Sequence, residues 1–146
     1  MTLARDDFAG PWTLHRSIDD RYSAQQGDFR GTATFQKTQN NQLTYLETGH
    51  IQFCNGPVLS AHRSYQWLFC AEKVDVLFED GAQFHSFVAA GCVAGTDHPC
   101  GEDYYTVSYD FSDWPKWTAT WIVNGPRKDY TSVSQYSREE QSAGAQ

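Results

Sequence analysis

Apolar and polar residues alternate with period two in segment after segment of this chain, and each segment ends on a strong turn signal. That pattern is the mark of half-buried β-strands, whose successive side chains point to opposite faces. Gly10-Pro11-Trp12 opens the first strand, which runs to about Ile18 with Trp12, Leu14, Arg16 and Ile18 on one face. Phe29, Gly31, Ala33 and Phe35 alternate along the second, and Asn40-Asn41 marks the hairpin to the third. The third strand carries Leu43, Tyr45, Glu47, Gly49, Ile51 and Phe53 on one face. Asn55-Gly56-Pro57 turns the chain into the fourth, with Leu59, Ala61, Arg63, Tyr65, Trp67 and Phe69. Val74, Val76 and Phe78 form the next, Asp80-Gly81 is a strong hairpin signal, and Phe84 to Val88 pairs back. Tyr104 to Phe111, Lys116 to Val123 and Asp129 to Tyr136 supply three more, the last two separated by Asn124-Gly125-Pro126.

About nine short strands joined by tight turns, with almost no helix, predict an all-β sandwich or barrel. The hairpin-to-hairpin order, the strand lengths and the absence of proline from strand centres favour an antiparallel up-and-down barrel. Residues 1–146 read as one domain, with residues 1–8 and 139–146 as frayed tails. Asp19 to Gly27 reads as one helical turn or a lid. Ala89 to Asp103, rich in glycine and small residues, reads as a long irregular loop of the kind that often carries function.

The formal net charge of −7 argues against a nucleic-acid partner, which needs a basic footprint. Seven of the eleven cations are arginine, whose planar fork tolerates partial burial and grips carboxylates or phosphates. The first seven residues lack the apolar run of a signal peptide, and no segment reaches membrane-spanning length. Cytoplasmic residence, no membrane partner and four reduced thiols (Cys54, Cys70, Cys92, Cys100) are therefore expected. No C-x-x-C occurs, so no metal is expected, and Cys54 and Cys70 read as small core residues.

Gly10-Pro11-Trp12 followed by a meander resembles the opening of lipocalin-like (calycin-type) barrels. In that group the tryptophan closes the barrel floor under an arginine from near the last strand, a part that Arg127 or Arg138 would take here. The strings His15-Arg16-Ser17-Ile18-Asp19-Asp20-Arg21, Asp80-Gly81-x-x-Phe84-His85-x-Phe87 and Gly125-Pro126-Arg127-Lys128-Asp129-Tyr130 resemble an uncharacterised bacterial family of lipocalin-like domains. The resemblance covers nearly the whole chain and implies a fold, with no activity or cofactor attached.

If the face containing Trp12 points inward, the two-residue period carries Arg16 inward too. On the same reasoning Glu47, Arg63, Tyr65, Trp67 and Trp121 face the interior, with His85 near the mouth. Arg63-x-Tyr65 resembles the Arg-x-Tyr pair with which intracellular fatty-acid-binding barrels hold a carboxylate. Two outcomes stay open. Either the arginines orient an anionic group of a ligand, or Glu47 neutralises Arg16 or Arg63 and the group is structural, since a buried charge needs a partner. His15 and His62 are expected to point outward, while His85 and His98 are candidates for the mouth. A haem-binding histidine is a rarer variant of this idea, and a Cys100–His98 thiolate pair needs the two side chains to meet.

The first functional expectation is a binder of a small hydrophobic or aromatic anion, at Arg16, Glu47, Arg63, Tyr65, Trp67, His85 and Trp121. The second is an enzyme using the same cavity, with His85, Asp103 or Tyr65 as acid or base. The third is a pocketless module that forms a homodimer through a barrel face, its interior filled by Trp67, Trp117 and Trp121.

Overall fold

The computed structural model describes residues 2–138. A four-residue helix, α1 (Arg5–Phe8), precedes eleven strands: β1 (Gly10–Asp20), β2 (Gln25–Lys37), β3 (Gln42–Phe53), β4 (Leu59–Cys70), β5 (Lys73–Phe78), β6 (Gln83–Phe87), β7 (Cys92–Ala94), β8 (His98–Cys100), β9 (Asp103–Asp113), β10 (Lys116–Gly125) and β11 (Lys128–Ser137). They form one antiparallel sheet in the order β6-β5-β4-β3-β2-β1-β11-β10-β9-β7, with β8 also on β9. Every long strand pairs with its sequence neighbour, and β11 returns to β1 through the register Leu14↔Tyr136 and Ile18↔Ser132. The up-and-down barrel expected from the alternation is the fold found.

The remaining seam lies between β6 and the β7–β8 edge that covers β9. It is bridged by the chain after β7: Thr96 N–H donates to the Ser86 carbonyl at 2.8 Å, and Gly95 N–H donates to Val107 at 2.9 Å. At the corner of β2 and β3, Gly31 faces Gly49, and a Cβ on Gly31 would collide with the Thr48 carbonyl. Only glycine permits that backbone approach, which lets the sheet bend.

Inward residues fall where period two places them: Trp12, Leu14, Phe29, Phe35, Leu43, Tyr45, Trp67 and Val76 are all buried. One end of the barrel is sealed by rings. Phe8, fully buried, lies 5.1–5.9 Å from Phe35, Trp67, Phe69, Phe111, Trp114 and Trp117, centroid to centroid. Trp12 donates its indole N–H to the Phe8 carbonyl at 2.8 Å. The Arg138 guanidinium lies 3.7 Å over the Trp12 ring and donates to the carbonyls of Asp7, Ala9 and Pro11. Arg138, and not Arg127, therefore takes the floor position.

Several sequence expectations differ from this structure. The expected frayed segment 1–8 contains α1 and delivers Phe8 to the floor, where burial of the ring adds to the hydrogen bonds that Trp12 and Arg138 make to the Asp7, Phe8 and Ala9 carbonyls. Residues 139–146, also expected to fray, lie outside the described residues. Asp19–Gly27 is a hairpin: β1 runs to Asp20, whose carboxylate accepts the Tyr22 and Ser23 N–H groups, and β2 starts at Gln25. The 89–103 stretch is partly ordered as β7 and β8, each of three residues on β9. Cys54 is exposed in the turn after β3 with φ 50°, and Cys70 is only half-buried at the end of β4, so neither is a core residue. Strand alternation stops at Phe53, and the next position belongs to the turn. No helix of the described residues is long and apolar enough to cross a membrane.

Candidate functional site

Above the aromatic floor the barrel opens into a cavity of about 670 Å³. Its walls come from inward positions on the upper halves of the strands, and all seven expected site residues line it: Arg16, Glu47, Arg63, Tyr65, Trp67, His85 and Trp121. The rings expected to fill a pocketless barrel divide between two tasks. Trp67 and Trp117 pack toward the floor, with Trp117 stacked on Tyr136 at 3.8 Å, while Trp121 stacks on Phe84 at 4.9 Å in the upper wall. Space therefore remains, and the pocketless reading falls.

The charged groups do not act alike. Arg16, on β1, donates Nη1 to Glu47 Oε2 at 2.7 Å and Nη2 to Glu47 Oε1 at 2.9 Å. Its Nε donates to Ser134 Oγ at 2.6 Å. Tyr45 donates its hydroxyl to Glu47 Oε1 at 2.6 Å and lies 2.8 Å from the Tyr136 hydroxyl. Since Tyr45 spends its proton on a carboxylate, Tyr136 is the donor to Tyr45. Burial alone would raise the Glu47 carboxyl, but the bonds from Arg16 and Tyr45 outweigh it and hold it below the ordinary range. Burial also opposes the charge on Arg16, and Glu47 more than restores it. Burial keeps Tyr45 and Tyr136 neutral, the latter raised to about 12. The ion pair is thus closed on itself.

Arg16 reaches Glu47 across β2, where the intervening inward positions are Gly31 and Ala33 and leave a path for its side chain. Of the two outcomes left open by the sequence, the second holds for Arg16, which Glu47 neutralises, so Arg16 and Arg63 do not act together on an anion.

Arg63 stands directly opposite Glu47 in the β3–β4 register, yet it is exposed and has no ion-pair or hydrogen-bond partner among the described residues. Glu47's oxygens are already taken. Lys128, the third cation on the lining, bonds Tyr105 at 3.0 Å and Asp103 at 3.2 Å. Asp103 itself is not part of the lining, which removes one of the three acid–base candidates from the cavity.

His85 on β6 is buried, with Nε2 2.7 Å from the Tyr109 hydroxyl and no partner for Nδ1 among the described residues. Burial, assisted by nearby His98, pushes it down to about 3, so the ring is neutral at ordinary pH. His98 and Cys100 share the inward face of β8 at the mouth, and His98 packs edge-on to Phe84 at 5.2 Å. His15 and His62 point outward, His15 onto Asp28 at 2.6 Å. Among the described residues no three His, Cys, Asp or Glu side chains are placed to hold a metal ion. Ser134, Tyr136 and Tyr109 complete the polar networks. They escaped the sequence reading although the alternation of the last strand and of Val107, Tyr109 and Phe111 already pointed them inward.

The model of one sequence family, DUF6314, a family of unknown function, matches residues 8–138. The chain belongs to that family. Its span runs from the Phe8 plug to Arg138 over Trp12, so it coincides with the barrel. No curated protein matches the sequence. Among solved structures, the S-type phycobiliprotein lyase CPES from Guillardia theta is similar over 93% of this chain and 90% of its own, with TM-score 0.66 and 10% identity. A DUF3598 protein of unknown function from Nostoc punctiforme matches 92% of this chain and 48% of its own, with TM-score 0.60 and 10% identity. A de novo designed fluorescence-activating β-barrel covers 95% of this chain and 100% of its own, with TM-score 0.50 and 11% identity. At such identities the likeness is one of fold, and the calycin-type architecture implied by Gly10-Pro11-Trp12 is the one these neighbours share.

Proposed function

We propose that the protein binds a small hydrophobic or aromatic molecule bearing an anionic group, held inside the barrel. One observation carries this reading. A cavity of about 670 Å³, walled largely by aromatic rings, is lined by a cation, Arg63, that makes no ion pair or hydrogen bond with any described residue. The volume lies within the range that encloses a drug-sized ligand, about 300–1,000 Å³. Apolar walls supply most of the affinity and a single charge supplies orientation. A fold of this kind hosts many tasks, so the cavity's chemistry supports the reading and the likeness to other barrels does not.

Cys100 offers a direct test, because its thiol lines the mouth and is exposed. A fluorescent fatty-acid analogue is expected to bind saturably at one site per chain and to slow alkylation of Cys100, mapped by peptide mass spectrometry. Alkylation of exposed Cys92, on the outside of the barrel, should be unaffected. Absence of saturable binding, or binding that leaves Cys100 as reactive as before, overturns the proposal.

A further inference from the structure

We infer that the ligand lies apolar end inward, with its anionic group at the mouth on Arg63 and not at the buried Arg16. This rests on the reading above and adds which end of the molecule enters.

Among the described residues, three arginine or lysine side chains line the cavity: Arg16, Arg63 and Lys128. Arg16 is deepest, and Glu47 accepts two of its N–H groups while Ser134 accepts a third. An anion brought to Arg16 would come almost as close to the Glu47 carboxylate, so attraction and repulsion would cancel while the anion lost its water. The buried His85 carries no charge that could replace it, and the buried tyrosines Tyr45, Tyr109 and Tyr136 are neutral. The interior is therefore electrically closed, although it is not apolar throughout.

The mouth differs. Arg63 is exposed and free of partners among the described residues, and Lys128 is shared with Asp103 and Tyr105. Tyr65 lies two residues along β4 from Arg63, hence on the same face, and Tyr130 lines the same end of the cavity. Neither hydroxyl has a hydrogen-bond partner among the described residues, so each has a donor to offer beside the guanidinium. Tyr130 lines the same cavity as Arg63 and Lys128. A carboxylate or sulfonate there meets the Arg63 fork at an end of the cavity lined by two phenols, and it stays partly hydrated, so its desolvation cost is small. Below it, Phe78, Phe84, Trp121 and Trp67 offer ring faces to an apolar or planar body. The class that fits is a singly charged amphiphile whose polar end remains reachable from outside.

The test uses a naphthyl-alkyl carboxylate, its primary amide, its taurine conjugate, and the same carboxylate with a tert-butyl group at the opposite end. The taurine conjugate keeps a negative charge and adds bulk at the head, so it is expected to bind within about threefold of the parent, its charged hydrogen bond being retained. Bulk at the apolar end should cost about tenfold or more through overpacking of the closed interior. Arg63→Met should weaken the carboxylate by about 10- to 150-fold, the span for a hydrogen bond to a charged group, and leave the amide unchanged. Thermal stability should fall little in this variant, since Arg63 makes no hydrogen bond or ion pair among the described residues and Glu47 keeps its bonds from Arg16 and Tyr45. Equal carboxylate affinity in wild type and Arg63→Met, or tolerance of bulk only at the apolar end, overturns the inference and leaves the cavity reading standing. If no probe binds, both fall.

Discussion

The two ends of this barrel are made from the same alternation and behave as opposites. At the floor, ring packs on ring: Phe35, Trp67, Phe111, Trp114 and Trp117 each lie 5.1–5.8 Å from Phe8 in a continuous cluster. In the upper half, Phe78, Phe84, Trp121, Tyr65 and Tyr105 stand around open volume. The floor has a plug, α1, and a clamp, Arg138. The upper end has only hairpins, and its seam is held by few backbone bonds. What differs is therefore not the strand pattern but whether a separate segment folds back into the barrel. Between the ends, the Arg16–Glu47–Tyr45–Tyr136 network separates a packed half from an open one.

Truncating the plug gives the largest expected effect. Phe8→Ala should cost about 3–5 kcal/mol, the usual range for deleting a buried ring, read as a lower midpoint in chemical denaturation. A loss of under about 1 kcal/mol would mean that α1 does not seal the floor and that the contrast between the two ends is false.

Next comes the divide. Glu47→Gln leaves the Arg16 guanidinium buried without a counter-charge, at a cost of about 3 kcal/mol or more. Denaturation at neutral pH measures it. The same variant also sharpens the comparison, because an unpaired Arg16 would turn the divide into a deep anion site. A variant as stable as the wild type would show that Arg16 has another partner.

The smallest effect concerns pH. His85 ordinarily titrates near 6.5 and is held down to about 3 by burial. Below 6.5 the unfolded chain takes up a proton that the folded ring refuses, so the unfolded state binds more protons. Stability must then fall as pH drops from 6.5 toward 3, by up to about 1.4 kcal/mol per pH unit. Glu47, whose folded value is depressed, adds its own loss only once pH falls below its ordinary value of 4.5. Denaturation curves between pH 6.5 and 5 should therefore show a slope that His85→Phe flattens. An unchanged slope would place His85 in a wetter, more open environment than the rest of its wall.

Much of this was legible beforehand. Period two aimed Arg16, Glu47, Arg63, Tyr65, Trp67 and Trp121 at one interior, because a strand has only two faces and one of them must be buried. The turn signals at Asn40-Asn41, Asp80-Gly81 and Gly125-Pro126 set the hairpins, and with them the meander. These are local properties, written in neighbouring residues.

The rest depended on distance. Glu47 has Arg63 as its immediate cross-strand neighbour but bonds Arg16, two strands away, because the sheet curves at Gly31 and Gly49 and small side chains clear the route. Phe8 reads as part of a tail until the barrel supplies a hole for it. Whether the interior is full or hollow also could not be read from its rings, since the same aromatic residues line a cavity or fill it according to how widely the strands are set apart. The sequence by itself determined which face of each strand is buried. Only the closed sheet decided which charges cancel, which arginine stays free and where space is left, because those depend on curvature and on contacts between residues far apart in the chain.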